Sequence, residues 1–491
     1  MVQTVQRWDI FEISLQGPEH GNPFSDVDFS ATFRNGDRSI ESPGFYDGDG
    51  VYKIRFMPCE LGVWTYETTS NIVKLRGTTG HFECVAPSEG NHGPVRVSNI
   101  YHFAYADGTP HDSTGTTCYV WTHQGDELEE VTLKTLKRAP FNKIRMCVFP
   151  KRYLYNNNDP LLYPFEGSRE EGWDFTRFNP HFCRHLEQRV GDLKDLGIEA
   201  DIILFHPYDN GRWGFDNMGM KINIRYLRYL IARLSAYRNV WWSMANEYDL
   251  MKHMSVKDWD LLIKTVAQCD PYDHLRSIHN CGPFYDHNHP LITHVSVQNH
   301  NLRGIVQWRI QYNKPIVVDE CSYEGNLGYV WGNITEQEMT RRFWDGFLSG
   351  GYVGHGETYL HPEDILWWSK GGLLHGDSPT RIAFLKRIIE EVPRDFREPI
   401  NFSPNWEHNP CIGKDGQYYL VYFGIHRPAV KYLELPKGNQ YRIDVIDTWE
   451  MTISPLEGTY EPDSHIDLPG KQYMALRIQK VYSSPPPSGS F

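Results

Sequence analysis

"NVWWSMANEYD", residues 239–249, decides the fold. Its apolar run is short enough for a buried strand, yet it ends on Asn246 and Glu247. An amide and a carboxylate leaving a core strand are costly unless the strand opens where polar groups work. In a barrel of eight parallel strands, each followed by a helix, that place is the ring of C-terminal strand ends. The reading therefore turns on finding seven more strands of this kind.

They recur between about 100 and 395: "GTTCYVW" (115–121), "FNKIRMCVF" (141–149), "IEADIILF" (198–205), "HLRSIH" (274–279), "HVSVQN" (294–299), "KPIVVD" (314–319) and "GGYVGHG" (350–356). Helix-period segments separate several of them. "SVKDWDLLIKTVAQC" opens with Ser255 and Asp258 at capping-box spacing and gathers Trp259, Leu262, Ile263 and Val266 on one face. "TEQEMTRRFWDGFLSG" opens likewise with Thr335 and Glu338. This alternation predicts an α/β fold, a (β/α)₈ TIM barrel. A doubly wound sheet would carry a glycine-rich phosphate turn after its first strand, and "GTTCYVW" is none.

The flanks read differently. "FSDVDFSATFRNG" and "GVYKIRFMPCELGVWTYETTS" alternate apolar and polar residues, as do "QYYLVYFG", "VKYLELP", "YRIDVIDTWEMTI" and "YMALRIQKVY". The expected organisation is an N-terminal β-sandwich over 1–95, the barrel over 96–395, a small C-terminal β-sandwich over 396–482 and a disordered tail over 483–491.

Composition narrows the function. A net charge of −13 without basic clusters speaks against nucleic acid as partner. The aromatic share of 14% fits large β-rich cores and also platforms for sugar rings. Nine scattered cysteines without a C-x-x-C pair suggest neither disulfides nor a zinc cage. "MVQTVQRWDIFEI" lacks a basic stretch followed by an apolar one, and no run of 18 apolar residues occurs. A cytoplasmic protein with reduced thiols and no membrane partner is expected, with room for a homo-oligomer.

The strand ends supply the chemistry. They present Trp121 and His123, Arg145, His206 with Asp209, Asn246 with Glu247, His279 with Asn280, Gln298 with His300, Glu320, and His355 with Glu357. Glu247 ends strand four, and Glu320, in "KPIVVDECSYEG", ends strand seven. Two carboxyls flanking one bond suit a retaining glycosidase, where about 5 Å separates them. Trp367 and Trp368 follow strand eight, where one ring packs inward and the other can stack on sugar; Tyr208 is a further candidate. His206 and His355 have even claims as mouth histidines.

Asn-Glu ending strand four and Glu ending strand seven resemble clan A glycoside hydrolases. "DGTPHDSTGTTCYVWTHQ", "KPIVVDECSYEG" and "ILWWSKGG" resemble the apiosidase-like branch, in which a DUF5060-like β-sandwich precedes the barrel and a DUF5605-like β-domain follows. The resemblance implies Glu247 as acid/base, Glu320 as nucleophile and Asn246 as ligand of the sugar 2-hydroxyl. It also implies that Arg145 holds the nucleophile ionised and that His279 or His300 contacts it. Asp319 and Glu324 beside Glu320 depart from the simplest pattern, and Glu324 is the substitute nucleophile. The substrate expected is an oligosaccharide or glycoside, cleaved from its end without cofactor or metal. With no basic cluster evident at the mouth, neutral sugars are favoured over uronic acids.

Two other readings compete. A metal-dependent hydrolase would need an H-x-H at strand one, whereas the one in the chain, His287 and His289, follows strand five. A non-catalytic carbohydrate-binding protein would lack one of the glutamates, and both are present.

Overall fold

The computed structural model describes residues 3–402 and 408–482; the tail expected to be disordered, 483–491, lies outside the described residues. Eight strands form one sheet: β1 (Thr114–Thr117), β2 (Lys143–Cys147), β3 (Glu199–Ile203), β4 (Val240–Ser243), β5 (Arg276–Ser277), β6 (Val295–Gln298), β7 (Ile316–Glu320) and β8 (Tyr352–His355). Their order is β5-β4-β3-β2-β1-β8-β7-β6, and the β1–β2, β2–β3, β3–β4, β4–β5 and β7–β8 ladders are parallel. This is the expected (β/α)₈ barrel, nearly closed, with its seam between β5 and β6.

Seven helices alternate with these strands: α1 (Asp126–Leu136), α2 (Pro180–Asp195), α3 (Met220–Leu234), α4 (Val256–Cys269), α5 (Ile305–Tyr312), α6 (Glu336–Leu348) and α7 (Ser378–Glu391). Residues 278–294 join β5 to β6 without a helix. α4 opens on the Ser255–Asp258 capping box, and α6 on a Thr335 cap that accepts from the Glu338 N–H. Among the described residues no helix is long and apolar enough to cross a membrane.

The chain forms two compact units. The first comprises residues up to Lys137, Phe141–Gln298 and His361–Leu374; the second comprises Arg138–Pro140, Asn299–Leu360 and residues from His375 onward.

In the first unit the strands show a period of two. Ile144, Met146, Ala200, Ile202, Val240 and Trp242 join Leu186, Val190, Leu227, Ile231, Leu262 and Ile263 of the helices in one apolar core. The alternate positions, Lys143, Arg145, Glu199, Asp201, Trp241 and Ser243, form a buried polar layer. Lys143 Nζ pairs with Asp201 Oδ2 at 2.8 Å, and Trp241 Nε1 donates to Glu199 Oε2 at 2.9 Å. Such a layer is tolerable because its members satisfy one another.

The same unit holds the N-terminal sandwich. Its sheet runs in the order Thr4–Gln6, Thr79–Val85, Gly62–Ser70, Phe29–Asn35, Arg38–Tyr46, Val51–Phe56 and Phe11–Gln16. The strand Arg38–Tyr46 pairs with Phe29–Asn35 as far as Pro43 and with Val51–Phe56 from Gly44. At that crossing a Cβ on Gly44 would overlap the Phe29 ring, so a glycine is required. Phe33 stacks on Phe56 at 3.9 Å and Phe11 on Phe82 at 4.1 Å. Each buried ring contributes roughly 1.5–3 kcal/mol.

The second unit contains β7, β8, α5, α6 and α7. A Cβ on Gly354 of β8 would overlap the Asp319 carbonyl of β7, which is how closely these two strands approach. Its C-terminal part is a five-stranded antiparallel sheet in the order Cys411–Lys414, Tyr418–Tyr422, Met474–Lys480, Tyr441–Asp447 and Thr452–Pro455. Its core is built on Val421, Leu433, Ile443, Leu476 and Ile478.

Candidate active site

In the first unit, β4 ends at Ser243 and the chain continues buried to Glu247. Arg145 of β2 orients this exit: its Nη2 donates to Asn246 Oδ1 at 2.8 Å and its Nη1 to Ser243 Oγ at 3.2 Å. The Tyr119 hydroxyl donates to the same Asn246 oxygen at 3.2 Å. With its acceptor held from two sides, Asn246 turns its amide nitrogen out as a donor. Glu247 adopts the left-handed conformation at φ 50°, a cost of about 1–3 kcal/mol that is common at working sites. Burial pushes its carboxyl up, while Lys151 and the Cys281 thiol oppose that shift.

In the second unit, β7 runs through Asp319 to Glu320, which is 8% exposed. Burial pushes the Glu320 carboxyl up to about 7, opposed by a hydrogen bond from Tyr323. The Tyr323 ring lies against Gly356, where a Cβ would overlap it. His300 is exposed at its surface and its Nδ1 lies 3.1 Å from Ser322 Oγ; partial desolvation and the Arg342 charge hold its pKa down.

Glu324 and Glu357, nearby in sequence, are committed elsewhere. Glu324 Oε1 accepts the Asp377 N–H at 3.0 Å and the Tyr359 hydroxyl at 3.2 Å. Glu357 accepts the N–H groups of His375 and Gly376 at 2.7 and 2.8 Å. Both pin the segment that leads into α7, a structural task.

Several other expected site residues also serve the scaffold. Trp121 is fully buried in the helix-facing core and offers a ligand no surface. His206 lies 3.1 Å from the Phe149 carbonyl through Nε2 and accepts the Tyr208 N–H through Nδ1; burial drives its pKa to about 4. Asp209 accepts the N–H groups of Trp213 and Phe215, both at 2.8 Å. Asn280 and Gln298 bond through Gln298's main chain. His279 and His355 are fully buried, and burial lowers His355 to about 3. The tryptophan pair divides: Trp367 donates from Nε1 to Thr116 Oγ1 at 2.8 Å and packs inward, while Trp368 meets Tyr119 edge-on at 5.9 Å.

Lys151, Tyr119, Tyr153 and Tyr323 were missed in the sequence. Lys151 lies just past β2 in "CVFPKRYLY", where only Arg145 was singled out. Its ammonium sits 3.9 Å from the Tyr119 ring, 4.1 Å from Tyr208, 4.8 Å from Trp368 and 5.2 Å from Tyr153.

Among the described residues, one trio of possible metal ligands has its atoms in reach of a common ion: Asp126, Glu129 and His185. The Arg189 guanidinium already occupies it, pairing with Glu129 at 2.6 Å and Asp126 at 2.8 Å. His287 and His289 are not part of it.

The family model described as "Apiosidase-like, catalytic domain" matches residues 98–392. Two domains of unknown function, DUF5060 and DUF5605, match 4–71 and 406–479. A crystal structure from Bacteroides vulgatus ATCC 8482, described as a candidate glycoside hydrolase, is 40% identical; the similarity covers 98% of this chain and all of that one, with TM-score 0.93. A glycoside hydrolase family 5 structure from the same organism shares 15% identity at TM-score 0.61, covering 79% of this chain and 93% of that one. Another, named only "Glycoside hydrolase", shares 14% identity at TM-score 0.60, covering 79% and 97%. The last two show likeness of fold alone. No curated protein matches the chain.

Proposed function

The chain belongs to the apiosidase-like family, and from that premise we propose that it is a retaining glycosidase with Glu247 as acid/base and Glu320 as nucleophile. The observation that carries the reading is the wiring at the end of β4. Arg145 and Tyr119 fix Asn246 as a donor, and the adjoining Glu247 is buried with its carboxyl raised, as an acid must be.

In the first step the Glu320 carboxylate attacks the anomeric carbon while Glu247 gives its proton to the leaving oxygen. The glycosidic bond breaks and a glycosyl ester forms. Glu247, now ionised, takes a proton from water, which displaces Glu320 and releases the sugar with its configuration kept. Asn246 holds the 2-hydroxyl through both steps. Burial raises both carboxyls, so the division of roles rests on the resemblance of their strand positions to clan A glycosidases. The substrate is an oligosaccharide or glycoside cleaved from its end, and the proposed location is the cytoplasm.

A 2-deoxy-2-fluoro glycoside with a good leaving group tests the assignment. Mass mapping is expected to find the sugar on the peptide containing Glu320, and NMR to find the retained anomer first. Glu320→Gln should lower kcat by about 10³-fold or more, whereas Glu324→Gln should cost stability and spare the chemical step. A label on Glu324, or an inverted first product, defeats the proposal.

A further inference from the structure

Lys151 is the most unusual charged group near the acid/base. It is 3% exposed, and its Nζ is surrounded by the faces of Tyr119, Tyr208, Trp368 and Tyr153. Among the described residues no carboxylate lies within ion-pair distance of it. An ammonium is strongly hydrated in water, and stripping that shell is costly unless something replaces it. Ring faces return part of that cost, but they are weak acceptors for its three N–H bonds. Glu247 is the carboxyl whose charge reaches Lys151. It must be protonated to serve a leaving group, so it cannot be a standing counter-ion.

The surroundings place this cation among the substrate groups. Tyr119, on which the ammonium rests, donates to Asn246 and meets the buried Trp368 ring edge-on. Four ring faces around one buried cation leave its charge to be met by an anion.

Resting on the glycosidase reading above, we propose that Lys151 is the specificity-determining anchor for an anionic group on the sugar, a ring carboxylate, and that the substrate is the glycoside of a uronic acid. The acidic chain as a whole gives no hint of this. The recognition depends on a single cation made effective by exclusion of water, not on a basic cluster.

The test uses the full chain and aryl glycosides in matched pairs: glucuronide and glucoside, galacturonide and galactoside, both anomers, each with its 6-phosphate twin. For at least one pair kcat/KM of the uronide should exceed that of the neutral sugar by about 100-fold. That ratio should collapse towards one in Lys151→Met and be partly kept in Lys151→Arg, with thermal unfolding checking that both variants fold. Preference for neutral sugars, or a ratio indifferent to Lys151, overturns the proposal; preference for the phosphate twin overturns the carboxylate. Calorimetric titration with free uronates separates this from the catalytic assignment. Uronate binding that Lys151→Met abolishes, with no turnover of any glycoside, upholds the anchor and defeats the glycosidase. Turnover with no uronate binding up to about 10 mM does the reverse.

Discussion

Glu320 and Glu324 are the same residue four positions apart, and their surroundings give them different work. Glu324 is tied to the Asp377 N–H and the Tyr359 hydroxyl ahead of α7, whereas Glu320 is buried at the end of β7 with Tyr323 against it. A carboxyl pushed up to about 7 is protonated, and unable to attack, below that pH. The acid limb of kcat/KM is therefore expected near pH 7, measurable with any substrate the enzyme turns over. Tyr323→Phe removes the bond that favours the ionised form and should move that limb to higher pH. Glu247 and Glu320 stand out in the sequence because each follows an apolar run. Tyr323 does not: nothing local shows that its ring will lie on Gly356 and turn its hydroxyl back to the strand.

Among the elements, α4 and the N-terminal sandwich show the two extremes of legibility. The α4 boundary follows from Ser255 and Asp258, a contact of near neighbours. By contrast, "HLRSIH" reads as a six-residue strand, but β5 keeps only Arg276 and Ser277, because the segment after it turns away without a helix. The sandwich is anchored to α2 and α3 by a buried network absent from any motif. Arg55 pairs with Glu187 at 2.9 Å, and Arg233 pairs with Asp47 at 2.7 Å and also with Glu187. Burial pushes Asp47 up, yet the guanidinium of Arg233 outweighs it and holds the carboxyl low. Arg233→Met removes the closest partner of Asp47 and one of the two partners of Glu187, leaving Lys53 and Arg184 on the first and Arg55 on the second, and should destabilise the unit by about 1–3 kcal/mol in denaturant unfolding.

Across the whole molecule, buried titratable groups of opposite kinds set the dependence of stability on pH. Burial raises Glu199 to about 8 and Glu320 and Glu357 to about 7. Each contributes stability that is lost as pH rises through those values. Burial lowers His123 and His206 to about 4 and His355 to about 3, so their contribution is lost as pH falls from 6.5. Between about 4.5 and 6.5 the folded chain holds extra protons on the glutamates and lacks them on the histidines, and the two largely cancel. Above 6.5 the glutamates act, joined by His185, which its bond to Glu129 holds above the usual imidazole range. The thermal midpoint should therefore fall from pH 6.5 to pH 8, and Glu199→Gln should flatten that fall; a midpoint that rises over this range contradicts the burial of these acids.

By itself the sequence determined the barrel, the helix caps that depend on neighbours, and the two apolar runs that lead to Glu247 and Glu320. These are periodic or local features, and a period of two or a cap three residues away needs no knowledge of what lies across the fold. The tertiary structure alone decided which polar side chains meet. Arg145 reaches Asn246 across 101 positions of chain, and Lys151 meets, besides Tyr153 of its own loop, rings from the segments that follow β1, β3 and β8. Such encounters are set by closure of the barrel, and burial then turns ordinary residues into an acid, a tether or a bare cation.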